Sequence, residues 1–171
     1  MKVTLFAWVM VLALGLSACS GRMGKEITQA DTTTRAQKTA MGYGFTTDAG
    51  LLLNVGMFMD EVGGRLGSPQ SVQTSESCAF GGKDRVYYYQ GFQVCTNDES
   101  GREQIYEITL TDDSCCTQEG IEIGADASRV VEIYGLSHGT GETLLHYPKD
   151  GMRLLFVIRE GKVSAIRYTA L

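Results

Sequence analysis

Ile123-Gly124-Ala125-Asp126-Ala127-Ser128-Arg129-Val130-Val131-Glu132-Ile133-Tyr134-Gly135 is the stretch on which the fold turns. It opens on a glycine, carries Val130, Val131 and Tyr134 at helical spacing, and stops on a second glycine. Asp126-Ala127-Ser128 supplies residues that favour a helix start. Sixty-eight residues earlier (123 against 55), Val55-Gly56 leads in the same way into Met57–Leu66. There Phe58, Met59, Val62 and Leu66 make the stripe, and Gly67-Ser68-Pro69 makes the stop.

Strand patterns follow each helix. After the first come Arg85–Tyr89, Phe92–Thr96 and Gln104–Thr111; after the second, Thr143–Tyr147, Met152–Ile158 and Lys162–Thr169. Gln90-Gly91, Asn97–Gly101 and Arg159-Glu160-Gly161 are the turns between them. Ile166 and Tyr168 match Ile108 and Leu110 at an offset of 58 (166 against 108). Simple alternation puts Tyr106, Ile108 and Leu110 on one face, with Glu107 and Thr109 on the other. Before the first helix, Tyr43 and Phe45, the turn Thr47–Gly50 and the run Leu51–Val55 form a hairpin pattern. The Ser- and Gly-rich segment Ser71–Lys83 reads as a loop.

The expected class is α+β. Two tandem strand–helix–three-stranded-meander units, over residues 43–113 and 114–171, form antiparallel sheets with helices packed on one face. The other reading is two unrelated α+β stretches that share their punctuation.

The first residues give an address. Lys2 opens an apolar run from Val3 to Leu16, shorter than the ~20 residues of a membrane span. Leu16-Ser17-Ala18-Cys19 at its exit resembles the lipobox of bacterial lipoproteins. The resemblance implies that residues 1–18 are a signal peptide and that Cys19 becomes a lipidated N-terminus. It implies an extracytoplasmic protein held to the cell membrane by lipid. Residues 19–42, polar and without aromatics up to Ala40, read as a flexible tether. The formal net charge of −5 argues against a nucleic-acid partner and against electrostatic docking on anionic lipid.

Beyond Cys19 lie Cys78, Cys95, Cys115 and Cys116. Outside the cytoplasm these allow three connectivities. Cys78–Cys95 is the candidate disulfide, and unbridged thiols are the other reading. No CxxC or CxxH spacing occurs, so no structural zinc and no cofactor is expected.

Catalytic signatures are equally thin. His138 sits in a loop pattern and His146 on a strand, with no GxSxG or HExxH motif. The acidic pairs Asp98-Glu99 and Asp112-Asp113 lack the alternate spacing of a calcium loop. No catalytic or metal residue is assigned, and the chain is not expected to be an enzyme. Tyr87, Tyr89 and Phe92 are the candidate binding surface, because aromatic residues are enriched at binding hot spots. Packing inside the sheet is the competing role for the same residues.

Ser77-Cys78-Ala79-Phe80-Gly81-Gly82-Lys83-Asp84, then Tyr87, Tyr89, Gly91-Phe92, Glu119-Gly120-Ile121, Gly124 and Gly161-Lys162-Val163 with Ile166, resemble a group of small lipoproteins of Firmicutes. The group's SCAF-x-G-x-D signature implies an architecture and an address but no catalytic residues. Cys95 and the Cys115-Cys116 pair depart from its pattern. More distantly, a tandem helix–meander unit is similar to the secreted β-lactamase inhibitor protein and to small outer-membrane assembly lipoproteins. That similarity implies protein binding through sheet surfaces and loops. The expected function is a non-catalytic binding domain for a protein or cell-envelope component. A structural or assembly accessory and an unrecognised hydrolase are the alternatives.

Overall fold

The computed structural model describes residues 42–138, 141 and 143–171. Cys19, the signal peptide and nearly all of the tether lie outside the described residues. The described chain is α+β and mostly antiparallel sheet. A two-stranded ribbon, β1 (Phe45–Thr46) and β2 (Leu52–Leu53), precedes α1 (Met59–Leu66). Then come β3 (Ser71–Glu76), β4 (Lys83–Tyr88), β5 (Phe92–Asn97) and β6 (Gln104–Leu110). After α2 (Ala127–Tyr134) come β7 (Leu144–Lys149), β8 (Met152–Arg159) and β9 (Lys162–Ala170). The seven strands from β3 onward form one sheet in the order β3-β4-β5-β6-β9-β8-β7. β6 and β9 are the seam, with Ile108 opposite Tyr168 and Leu110 opposite Ile166.

One face of that sheet is the core. Val94, Ile108, Leu154, Phe156 and Ile166 are fully buried, and they cluster with Val62 of α1 and Val130 of α2. Tyr134 of α2 sets its ring 5.2 Å from that of Tyr147 on β7 and 5.3 Å from that of Phe156 on β8.

The approach to each helix is bonded alike. Gly56 N–H donates to Ile105 C=O at 2.7 Å, and Gly124 N–H to Val163 C=O at 2.8 Å. Met59 N–H donates to Glu103 C=O and Ala127 N–H to Gly161 C=O, both at 2.9 Å. Gly56 and Gly124 hold φ of +93° and +91°, a left-handed conformation that side chains disfavour. Asp126 is the N-cap of α2 but makes no capping bond; its carboxylate pairs with Lys162 Nζ at 2.7 Å.

Two departures from the sequence reading have physical causes. Ser71–Glu76 is a strand, not a loop, so the first meander has four strands. All six of its residues are exposed, so burial imposes no apolar alternation that a pattern search could find. The second departure is in β6. Cys95 pairs with Glu107 but Thr96 pairs with Ile105, which leaves Tyr106 as the extra residue of a bulge. Ile105, rather than Tyr106, therefore joins Ile108 and Leu110 in the core, and the Tyr106 ring meets Phe80 at 5.5 Å. β9 does the same: Val157 pairs with Ala165 and Ile158 with Val163, leaving Ser164 over.

Candidate functional site

The turn between β4 and β5 gathers the aromatic candidates. Tyr89 N–H donates to Phe92 C=O at 2.9 Å, closing a turn on Gln90 and Gly91. Gly91 holds φ of +79°, and a Cβ there would lie 2.6 Å from Cys115 Sγ, so the position excludes a side chain on two counts. The Tyr89 ring stacks on Phe92 at 4.9 Å and 12°, and Phe92 in turn meets Phe45 at 4.9 Å. Phe92 is only 8% exposed: it is the floor, and half-buried Tyr89 carries the aromatic surface outward.

Two clefts flank this turn. One, of about 320 Å³, runs from Tyr89 and Gln90 to Thr47 and Asp48 of the β1–β2 turn and to Arg65 at the end of α1. The other, of about 280 Å³, lies between the same turn and Gln93, Thr111 and Asp112. Gln70, Tyr89, Gln90 and Phe92 line both, so the two are contiguous. Hydrogen bonds from the Ser114 hydroxyl and N–H hold the Asp112 carboxyl below its ordinary range, so the second cleft keeps a fixed negative charge. The lining combines an aromatic platform, amide side chains and charges of both signs.

Tyr87 stands apart. Its hydroxyl donates to Glu103 Oε1 at 2.6 Å, and Thr96 Oγ1 donates to the same oxygen at 2.5 Å. Arg85 lies 3.5 Å from the other carboxylate oxygen and 3.1 Å from Asp98. Burial and the Glu103 carboxylate push the Tyr87 phenol well above its usual range. Sequence reasoning missed Glu103, Gln70 and Arg65 because each comes from a different element. A smaller cleft of about 140 Å³ lies beside Phe80 and Tyr106. Its only signal in the sequence is the SCAF segment.

Cys78, Cys95, Cys115 and Cys116 are free thiols, so the Cys78–Cys95 bridge is not formed in this structure. Cys78 is exposed between β3 and β4, whereas Cys95 is buried on β5, where burial and Glu107 push its thiol up to about 11. The His138 and His146 rings lie parallel, 6.3 Å apart. Among the described residues, no group of three or more His, Cys, Asp and Glu could hold a metal ion, and no helix is long and apolar enough to cross a membrane. Comparison with family models, with curated protein sequences and with solved structures finds no match to this chain.

Proposed function

We propose that this chain is a lipid-anchored, extracytoplasmic binding domain without catalysis of its own. It would hold a protein or cell-envelope component in the groove around Tyr89 and Gln90. The observation that carries the reading is the contiguity of the two clefts over one aromatic floor, Tyr89 on Phe92. Anchoring at Cys19 rests on the Leu16–Cys19 box. Two acyl signals suffice for stable membrane attachment.

The same proposal includes a duplicated architecture, with α1 and α2 layered on the core face of the sheet. Matched bonds at Gly56 and Gly124, matched bulges at Tyr106 and Ser164, and buried Val62 and Val130 support it.

The test of the site is retention of envelope components on immobilised protein. Tyr89→Ala and Gln90→Lys should each lose what the wild type retains, with circular dichroism unchanged. Equal retention by both variants would remove the groove from the account. For the anchor, mass spectrometry of the mature chain should find a diacylated Cys19, and an unmodified cysteine there would refute it.

A further inference from the structure

The sheet has two edges, and they are finished differently. In β7 the backbone groups of Leu144, His146 and Pro148 face outward, because Ile158 N–H donates to Thr143 C=O and the alternation follows from there. Each outward position is dealt with. Leu144 bridges Gly141, His146 N–H donates to Ser137 Oγ at 2.9 Å, and His138 N–H donates to His146 C=O at 3.1 Å. Pro148 has no N–H to offer.

β3 has none of this. Ser77 N–H donates to Gly82 C=O, and Asp98 N–H to Lys83 C=O. Ser71, Gln73 and Ser75 therefore bond inward to β4, while the N–H and C=O of Val72, Thr74 and Glu76 point away from it. Among the described residues no strand pairs with that side. β3 contains no proline, no lysine and no bulge, the devices that blunt an edge.

We propose that a second copy of this chain pairs with the β3 edge, antiparallel about a two-fold axis at Thr74. The edge is self-complementary in that register. Thr74 meets its own copy, and Val72 and Glu76 meet each other, each pair exchanging two hydrogen bonds. Charge fits as well. Glu76, the one charged residue of β3, falls opposite Val72 of the other copy and not opposite itself. Lys83 of its own chain lies 4.0 Å away. Val72, 45% exposed in one chain, gains cover from the stem of Glu76. The result is one sheet continuous through both copies.

The test is sedimentation equilibrium of the full chain in density-matched detergent over a concentration series. The wild type should rise from one to two chains per particle. Thr74→Lys and Thr74→Glu each bring like charges together at the axis and should stay at one chain. Mixing the two variants should restore the pair. A second readout needs no variant: amide exchange at Val72, Thr74 and Glu76 should slow as concentration rises, while Ser71, Gln73 and Ser75 stay unchanged. A wild type that remains single throughout would overturn the proposal, since the edge would then be covered from within the chain or kept for an unrelated strand. Pairs that persist in both single variants would overturn it too.

Discussion

The two halves of the sheet meet in the same way and are filled differently. Beside the bulge, β5 offers Cys95 and Thr96 where β8 offers Val157 and Ile158. Thr96 is fully buried and donates its hydroxyl to Glu103, the residue whose C=O accepts from Met59 as that of Gly161 accepts from Ala127. The buried positions of β7, β8 and β9 are all aliphatic or aromatic, whereas β5 and β6 also bury Thr96 and Thr109, and beside them lie a polar network, an added strand and the clefts.

The largest test of that comparison is at the seam. Ile108→Ala and Ile166→Ala each remove a fully buried side chain and should each cost about 2–5 kcal/mol. Chemical denaturation reads both. A loss at one position and none at the other would break the equivalence of the two closing strands.

Glu103→Ala sharpens the contrast. It strands the Tyr87 hydroxyl and leaves buried Thr96 only the longer bond to Arg85 C=O at 3.4 Å, at an expected cost of about 1–3 kcal/mol. A neutral result would mean that the polar network is incidental to the first half. Glu107→Ala is smaller. Read from alternation alone, Glu107 faces solvent and its loss is expected to be negligible. It accepts the Thr109 hydroxyl at 3.0 Å, so about 0.5–1.5 kcal/mol is expected.

The last contrast is at Cys95, which sits beside the β5–β6 bulge as Val157 sits beside the β8–β9 bulge. Its thiol is raised from 9.0 to about 11, so the folded protein keeps a proton that the unfolded chain gives up between those values. Stability should be independent of this group below pH 9.0 and fall as pH rises towards about 11. A Cys95→Val variant should decline less than the wild type over that interval, the remaining fall coming from tyrosines such as Tyr106, which burial also raises. Near neutral pH, alkylation should modify exposed Cys78 and Cys116 long before Cys95.

What the sequence made legible was local. Gly56 and Gly124 announce themselves because the chain must turn with positive φ before each helix. Ile108 and Ile166 announce themselves because one face must be apolar. β3 stayed hidden because an edge strand exposed on both faces has no period to read. Simple alternation puts Tyr106 on the wrong face because an extra residue in a bulge shifts the alternation, and the bulge is a property of the pair of strands. Tyr89 and Phe92 could be picked out by residue type. Their surroundings could not, since Thr47, Arg65 and Gln70 reach the groove from three separate elements.

β6 and β9 join the two halves into one sheet, which should open as one unit. Backbone alternation fixed by Thr111 N–H donating to Gly91 C=O directs the amides of Ile108 and Leu110 across the seam, and those of Ile166 and Tyr168 answer them. Native-state hydrogen exchange measures this directly. These four amides should be among the slowest in the chain and should exchange with one common opening free energy. Seam amides that exchange ahead of those inside β4·β5 and β7·β8 would show two independently opening halves and contradict the account.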